Sequence, residues 1–301
     1  MRIRIATRGS KLALWQTHHV RDVLTNHGHE VELVMVKTVG DIQTDRPLHQ
    51  LGAQGLFTKA LDDAMLDGLA DISVHSAKDI PTKLPDGIGL LAVLEREDPR
   101  DVLLAIRPEV DLDNFTEQFS VGTSSIRRQA LLSHYAGHFQ PKDIRGNLDT
   151  RVAKLEAGEY DALLLAYAGV KRMGYTHLVR RKLNVSTFTP AVGQGAIAIT
   201  GKLDFGGWGT VRGAFNHEAT ESAVLGERAF LRLMEGGCHA AVFALGTVIG
   251  TNLSLHGGVA SPDGKVILRN DVEGPARDAE VLGESLASII IKSGGHQILH
   301  G

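Results

Sequence analysis

Cysteine is almost absent from this sequence, since Cys238 is the one thiol among 301 residues. A single cysteine cannot form a disulfide within the chain, so no disulfide framework supports the fold. The thiol is therefore either an inert buried side chain or a chemical handle. Gly236 and Gly237 stand directly before it, at the end of a predicted helix, and favour a loop at this point.

Long apolar runs and an excess of basic charge are absent as well. No stretch approaches the roughly 20 apolar residues that cross a bilayer, and residues 1–8 alternate charged and apolar side chains, unlike a secretory signal. We therefore expect a soluble protein of the cytoplasm that does not associate with a membrane. The formal net charge of −3 provides no bulk attraction for nucleic acid, so no nucleic-acid partner is expected.

Signatures of common cofactors are missing too. The sequence has neither a Gly-rich loop that ends in Gly-Lys-Ser/Thr nor a Gly-x-Gly-x-x-Gly motif after a strand, which argues against a nucleotide. The tripeptide 193–195, Gly-Gln-Gly, is too short to indicate a nucleotide and is interpreted as a tight interdomain turn. The 14 histidines show no metal-ligand spacing with cysteine or carboxylates, so no metal site is expected.

What the chain does have is an alternation of strand and helix patterns. We predict strands at 3–7, 31–38, 71–74, 102–106, 120–122 and 162–165 and one ending at Ile144, with helices beginning near Ser10 and Ser124 and at 56–66, 149–156 and 167–173. This alternation predicts parallel sheets with helices on their faces. A helix at 216–235, strands at 242–245, 253–259 and 266–269, and a helix at 279–292 predict a further small domain. The polar segment 40–55 is interpreted as a lid or as disorder.

Arginine recurs where predicted strands end and helices begin, at positions Arg8, Arg127, Arg128, Arg145, Arg151 and Arg172. In open parallel sheets, ligands bind beyond the carboxyl ends of the strands, where helix N-termini present unpaired backbone N–H groups. An arginine fork holds a carboxylate or a phosphate, and hydroxyl groups fill the remaining acceptor sites. Solvation explains any one surface arginine equally well, but this set at matching junctions predicts a ligand with several anionic groups.

Asp79 lies just past a predicted apolar strand, one residue after Lys78, where a carboxylate can be held in a partly dry cleft. Such a carboxylate would accept a hydrogen bond from a substrate N–H and stabilise a positive charge that develops beside it. A strand-end cap paired to Lys78 is the alternative interpretation.

Motifs along most of the chain resemble one enzyme family. In order they are Arg4–Ser10, Leu12–Gln16, Gly55–Phe57, Val74–Pro81, Arg96–Asp101, Val121–Gln129, Arg145–Asn147, Pro190–Ala196, Glu227–Phe230 and Glu235–Cys238. Together they resemble the porphobilinogen deaminases, also called hydroxymethylbilane synthases, and the remaining tail fits the small third domain of that family.

The resemblance implies an α/β fold with two periplasmic-binding-protein-like lobes plus a small α/β third domain. Residues 1–98 with 192–214 would form domain 1, which carries Asp79. Residues 99–191 would form the arginine-rich domain 2, and residues 215–301 would form domain 3, which carries Cys238. We expect a monomer.

The resemblance also implies a transferase of porphyrin and heme biosynthesis. Such an enzyme deaminates porphobilinogen and joins four molecules head to tail into the linear tetrapyrrole hydroxymethylbilane. The product grows on a dipyrromethane cofactor, which the enzyme builds from its own substrate and binds through a thioether to Cys238. Loss of ammonia from porphobilinogen leaves an azafulvenium cation, a strong electrophile for this thiol.

By the same resemblance, Asp79 would be catalytic, accepting hydrogen bonds from pyrrole N–H groups and stabilising each azafulvenium cation. The cofactor would be held by Cys238, Lys78, Thr123, Ser125, Arg127, Arg128, Arg145 and Gly146. The substrate would be held by Arg8, Ser10, Arg145, Arg151, Arg172 and Gln194. Each added pyrrole brings two carboxylates, which accounts for the number of arginines.

Departures from the family pattern fall in two places. Gln54 stands where the family usually has lysine, and Ala60 where it often has glutamate, so the chemistry of a lid is expected to differ. After Cys238, the sequence His239-Ala240-Ala241 replaces the common Gln or Ser with a nearby proline, so the loop conformation is expected to differ there.

Two other classes of protein explain part of the pattern. A two-lobed receptor that binds a polyanion without catalysis would account for the lobes and the arginines, but it would leave Cys238 and the third domain without a role. A cysteine hydrolase would need a base such as His239 oriented by a carboxylate, and adjacency in sequence does not supply that geometry.

Overall fold

A computed structural model describes residues 1–38, 58–114, 117–234 and 240–300. Within them the chain separates into two units, Met1–Glu97 with Ala196–Glu221 and Asp98–Gly195 with Ser222–Gly301. The predictions for the segment 40–55, including Gln54, and those for Cys238 and His239 lie outside the described residues.

The secondary structure alternates as the sequence predicts over much of the chain. In chain order the elements are β1 (Arg2–Thr7), α1 (Lys11–Asn26), β2 (Glu30–Met35), α2 (Lys59–Leu66), β3 (Ile72–Ser76), β4 (Ile88–Val93), β5 (Asp101–Leu104), β6 (Phe119–Gly122), α3 (Ile126–Tyr135), β7 (Phe139–Lys142), α4 (Leu148–Glu156), β8 (Ala162–Ala166), α5 (Tyr167–Arg172), β9 (Val179–Lys182), β10 (Ile197–Lys202), α6 (Trp208–Phe215), α7 (Glu218–Leu233), β11 (Val242–Ile249), β12 (Asn252–Ala260), β13 (Ile267–Pro275), α8 (Ala279–Lys292) and α9 (Gly295–His300).

Two five-stranded sheets share one topology. The sheet of the first unit has the order β2-β1-β3-β10-β4, and that of the second unit has the order β7-β6-β8-β5-β9. In each, the first three strands are parallel, whereas β10 runs antiparallel to β3 and β4, and β5 runs antiparallel to β8 and β9. The predicted parallel pairing is therefore found among the first three strands of each sheet, whereas β10 and β5 run in the opposite direction.

The antiparallel strands have a topological cause. β5 is the first strand after the chain leaves the first unit, and β10 is the first strand after it returns. Neither strand is joined to a neighbour in its own sheet by a helical crossover, which is the connection that makes strands parallel. Strands β4, β9 and β10 and helix α6 were not predicted, and the charged edge strand β9 has no apolar alternation that would reveal it.

The carboxyl-terminal region forms a third sheet, the antiparallel meander β11-β12-β13. Its three strands and helix α8 were predicted, although each strand is longer than expected. Helix α9 was not predicted, because the glycine pair 294–295 was interpreted as a stop. Gly294 adopts a φ of +93° and ends α8 as expected, but a new helix begins at the next residue.

Apolar side chains of this third sheet join the core of the second unit. Phe243 and Ala260 lie in one buried cluster with Phe119 from β6 and Leu131 from α3. A separate cluster joins the same sheet to helices α7, α8 and α9. The α/β fold class, with two lobes of like topology and a small carboxyl-terminal sheet, is confirmed.

Helix α1 begins as predicted at the cap Ser10 and buries Val20 and Leu24 against the first sheet. Among the described helices, none combines the length and apolarity that crossing a bilayer requires.

Candidate functional site

The first unit brings several predicted residues to one cavity at the carboxyl ends of β1 and β3. Ser10 is the N-cap of α1, and its Oγ accepts a hydrogen bond from the backbone N–H of Ala13 at 3.4 Å. The cavity has a volume of about 60 Å³, enough for a few water molecules or a carboxylate group. Among its lining residues are Arg8, Ser10, Gln16, Thr58, His75, Ser76 and Asp79.

A buried polar network lies beside this cavity. His75 is 6% exposed, and its Nε2 lies 2.5 Å from Ser73 Oγ and 3.2 Å from Thr200 Oγ1. Burial, aided by the positive charge of Arg8, lowers the pKa of His75 to about 4. The imidazole is therefore neutral near pH 7 and leaves Arg8 as a positive charge in the cavity.

Thr58 contributes an unsatisfied hydroxyl to the cavity. It is the N-cap of α2, yet its side chain does not cap that helix, in contrast to the usual behaviour of threonine at this position. The residue is 2% exposed, and its Oγ1 has no hydrogen-bond partner within the described part of the chain. Because a buried hydroxyl without a partner is costly, this oxygen is suited to bind a ligand or a water.

Asp79 and Lys78 belong to a 3₁₀ helix, Ala77–Asp79, that directly follows β3. Both side chains are exposed, and Asp79 lines the cavity beside Arg8. The Asp79 carboxylate is therefore exposed to solvent within the first unit. Its position at the strand end, as predicted, still places a carboxylate among cationic and hydroxyl groups.

In the second unit, the loop between β6 and α3 carries Thr123 and Ser125. Thr123 is 1% exposed, and its Oγ1 accepts a hydrogen bond from the backbone N–H of Ser125 at 3.3 Å. Ser125 is the N-cap of α3, but its hydroxyl does not cap the helix. Thr123 thus shapes the loop, whereas Ser125 keeps a side chain that a ligand can engage.

Arg127 and Arg128 form a buried network with Asp101, which is 0% exposed. Asp101 Oδ1 accepts from Arg128 Nη2 at 2.7 Å, and Arg127 Nη1 lies 2.7 Å from Asp101 Oδ2. The two guanidinium groups outweigh the desolvation of Asp101 and hold its pKa well below its usual range. Gln194, 2% exposed, joins the network by donating to Asp101 Oδ1 at 2.9 Å.

Arg145 and Arg151 add further positive charge near this network. Arg151 Nε donates to the carbonyl oxygen of Gly146 at 2.8 Å. Burial, together with the charges of Arg128 and Arg145, lowers the pKa of Arg151 to about 10. Like charges in a partly buried cluster repel one another, and a bound anion reduces that repulsion. The arrangement therefore favours the binding of carboxylates.

The remaining predicted residues have clear structural contacts. Gly146 has a φ of +105°, and a Cβ there would lie 2.7 Å from Thr150 Cγ2, so only glycine fits without strain. Arg172 Nη2 donates to the carbonyl oxygen of Gly195 at 2.9 Å. Gly193 and Gly195 both have positive φ, which confirms a tight turn at 193–195.

Sequence reasoning missed four residues of these two clusters, namely Gln16, Thr58, His75 and Asp101. Gln16 donates from Nε2 to Ser76 Oγ at 2.9 Å and is 2% exposed. A polar residue on the apolar face of a predicted helix is the signal that would have found Gln16. Asp101 lay within a quoted motif, but only the fold shows that its partners are Arg127 and Arg128.

These observations define a class of protein. Two α/β sheets of like topology each carry cationic and hydroxyl groups at the carboxyl ends of their parallel strands, as expected of an α/β protein that binds a polyanionic ligand.

Comparison with known proteins identifies the family. The model of the porphobilinogen deaminase dipyrromethane cofactor-binding domain matches residues 3–204, and that of the porphobilinogen deaminase C-terminal domain matches residues 222–292. A porphobilinogen deaminase from Cytophaga hutchinsonii is 46% identical over 299 residues, which are 99% of this chain and 96% of that protein. One from Geobacter sulfurreducens is 44% identical over 300 residues, 99% of this chain and 94% of that protein. The chain belongs to the porphobilinogen deaminase family, which is a family of enzymes.

Solved structures with a similar chain path include periplasmic ligand-binding proteins. The methionine-binding protein MetQ has a TM-score of 0.45 at 11% identity and is matched over 71% of this chain and 89% of its own. The VFT2 domain of Bordetella pertussis BvgS has a TM-score of 0.43 at 11% identity, over 71% of this chain and 85% of its own. Both likenesses are remote, and nothing about a ligand follows from them.

The described residues of the second unit fit the carboxylates of a dipyrromethane. Arg127 Nε is buried and has no hydrogen-bond partner among the described residues, so the network leaves a donor unmet. Burial and the neighbouring arginines together lower the pKa of Arg151, and a bound anion would stabilise its charge. Both features are those of a site that awaits negative charge.

Proposed function

We propose that this chain joins four porphobilinogen molecules head to tail into hydroxymethylbilane, releasing ammonia at each addition, on a dipyrromethane bound to Cys238. The observation that carries the proposal is the cluster of Arg128, Arg145 and Arg151, whose charges crowd one another at the carboxyl edge of the second sheet. This cluster lies inside the stretch that matches the dipyrromethane cofactor-binding domain.

The second unit holds carboxylates in this proposal. Arg127 offers its unmet Nε, Arg145 and Arg151 supply further forks, and Ser125 supplies a hydroxyl at the start of α3. Thr123 and Gly146 support the site indirectly. Thr123 Oγ1 accepts a backbone hydrogen bond that fixes the loop, and the carbonyl oxygen of Gly146 orients Arg151. Arg128 and Gln194 belong to the hydrogen-bonded network that supports these groups, and Arg172 holds the turn at Gly195.

The first unit positions the incoming substrate. Arg8 attracts a carboxylate into the cavity, where the hydroxyl groups of Ser10 and Thr58 lie within its lining. Asp79 at the cavity mouth is placed to accept a hydrogen bond from a pyrrole N–H and to stabilise the positive charge that appears when ammonia leaves. Lys78, next in sequence, binds a cofactor carboxylate.

Cys238 is the point of attachment for the cofactor. When bound, the dipyrromethane supplies the free pyrrole carbon to which the first porphobilinogen unit is added. A single thiol in the chain makes the attachment unambiguous, because no other cysteine competes for it.

The organisation of the protein follows from the same proposal. Residues 1–98 with 192–214 form the lobe that carries Asp79, residues 99–191 form the arginine-rich lobe, and residues 215–301 form the domain that carries Cys238. The enzyme acts as a cytoplasmic monomer without nucleic acid, in keeping with a formal net charge of −3.

Intact-mass spectrometry tests this proposal directly. Protein expressed in cells that make porphobilinogen should be heavier than its sequence by one dipyrromethane, and Cys238→Ser should remove the excess. The purified protein should consume porphobilinogen and release ammonia. A wild-type mass equal to the bare chain, with no turnover, would favour a polyanion-binding receptor and refute the enzyme proposal.

A further inference from the structure

Asp101 begins β5 and holds three side chains that were predicted to bind ligand. Its Oδ1 accepts hydrogen bonds from Arg128 Nε at 3.0 Å, Arg128 Nη2 at 2.7 Å and Gln194 Nε2 at 2.9 Å. Its Oδ2 forms an ion pair with Arg127 Nη1 at 2.7 Å. A single buried carboxylate thus contacts both neighbouring arginines of α3.

The two arginines differ in how many of their N–H groups are hydrogen-bonded within the protein. Arg128 uses Nε and Nη2 on Asp101 and donates from Nη1 to the Leu164 carbonyl at 3.0 Å, so most of its N–H groups are engaged. Arg127 donates from Nη1 to the Thr189 carbonyl at 2.8 Å, and its Nε has no hydrogen-bond partner in the described chain. Asp101 therefore fixes Arg128 fully but leaves Arg127 with a donor to offer.

Fixing an arginine matters because its side chain has many rotamers. Ordering such a side chain at the moment of binding costs affinity, whereas a side chain already held in place does not incur that cost. Asp101 supplies this order before any ligand arrives, and it does so from a position with no exposed surface.

We propose that Asp101 is a positioning residue, which holds Arg127 and Arg128 in the orientation in which they and the neighbouring arginines receive the carboxylates of cofactor and substrate. The proposal rests on the function proposed above. It assigns Asp101 a role in binding rather than in the bond-making step, which occurs at Asp79 in the other unit.

The direction in which one substitution changes the affinity for polycarboxylates distinguishes a positioning role from a simple counter-charge. Asp101→Asn keeps the shape of the side chain but removes a negative charge, so the site becomes more positive. If Asp101 acted only as a counter-charge, the variant would bind polycarboxylates more tightly. If it positions the arginines, the variant binds them more weakly despite the added positive charge.

The test compares the cofactor-loaded wild type with Asp101→Asn and with the control Asp161→Asn. Asp161 lies just before β8, pairs with Arg107 Nη2 at 2.7 Å and accepts from the Ser120 backbone N–H at 2.8 Å, so it is a paired carboxylate of the same unit that is less buried than Asp101. We expect Asp101→Asn to raise the KM for porphobilinogen about 10- to 100-fold, as expected for loss of one charge-assisted contact. The kcat per loaded molecule should change little.

A second readout does not depend on turnover. Intact mass gives the fraction of chains that carry the adduct after expression, and this fraction should fall in Asp101→Asn but not in Asp161→Asn. Thermal midpoints identify any general loss of structure. A folded Asp101→Asn with full adduct and a KM at or below that of the wild type would overturn the proposal.

Asp101→Glu covers the case in which Asp101→Asn does not fold. The glutamate retains the negative charge but displaces the carboxylate by one methylene. The variant should therefore fold, but the side chains of Arg127 and Arg128 should change their orientation and the KM should still rise. A wild-type KM in this variant would overturn the proposal, because charge alone would then suffice. A wild type with neither adduct nor turnover would refute the proposed function itself, which is a different result from any ranking of the variants.

Discussion

The pH dependence of stability provides a sharp test of the buried network around His75. The pKa of this side chain falls from 6.5 to about 4 because burial disfavours the imidazolium, and the charge of Arg8 adds to the effect. The unfolded chain therefore binds a proton between these two pH values that the folded chain does not. The contribution of neutral His75 to the free energy of unfolding is fully present above about pH 6.5 and is lost as the pH falls towards 4.

The size of the effect follows from the two pKa values. At 1.36 kcal/mol per pKa unit, the fall from 6.5 to about 4 corresponds to about 3 kcal/mol of unfolding free energy lost at acid pH, of which about 2 kcal/mol is lost by pH 5. Asp62 opposes this trend, because burial raises its pKa to about 6 and so favours the folded state at lower pH. The wild-type curve thus mixes two slopes of opposite sign.

A difference between variants isolates His75. His75→Gln keeps a polar atom near Nε2 for Ser73 and Thr200 but cannot titrate, and Asp62 cancels in the comparison. Urea unfolding should be followed by tryptophan fluorescence, since Trp15 and Trp208 are the two tryptophans of the chain and both belong to the first unit. Relative to its value at pH 7.5, the wild type should lose about 2 kcal/mol more than the variant by pH 5.

Two results would refute this reasoning. The first is a pH dependence of unfolding that is the same in wild type and His75→Gln. The second is a titration midpoint above 6 for the His75 imidazole, observed by NMR. His177→Gln is the matched control, because His177 is exposed, and it should leave the acid loss of stability in place.

Two further predictions concern the reaction and the backbone. Asp79→Asn should retain the covalent adduct and lose kcat about 100- to 1000-fold, the usual cost of removing a preorganised electrostatic group; single-turnover kinetics measure this, and near-normal turnover would exclude Asp79 from catalysis. Gly146→Ala should lower the unfolding free energy more than Gly158→Ala by at least about 1 kcal/mol, because both have positive φ but only the first Cβ meets Thr150 at 2.7 Å, while open space surrounds the second. Equal losses in denaturant unfolding would show that the contact with Thr150 is relieved at no cost.

The outcomes for individual elements show where sequence reasoning succeeds. Helix α1 was predicted because Ser10 caps an apolar pattern of helical period, and both signals are local. The strands of the third sheet were predicted from short alternating segments. By contrast β5 and β10 are antiparallel because each enters its sheet from the other unit, and no local pattern records that event.

The candidate site divides in the same way. Arg8, Ser10 and Asp79 were each predicted at a strand end, and they line one cavity, since the carboxyl ends of neighbouring parallel strands meet at one edge of a sheet. Thr123 and Gln194 are predicted to bind ligand, and the structure adds that both are buried and hydrogen-bonded within the second unit. Hydrogen-bonding residues look alike in sequence, whether they meet a ligand or one another.

The sequence by itself determined the family, the alternation of strands and helices, and the junctions at which arginines and hydroxyl groups gather, because motifs, caps and periodicity are properties of neighbouring residues. Only the tertiary structure decided which of those groups have spare hydrogen-bonding capacity. Asp101 lies 26 and 27 residues before Arg127 and Arg128, and it contacts them only when β5 and α3 pack together. Burial and long-range pairing depend on the whole fold, so they are decided there.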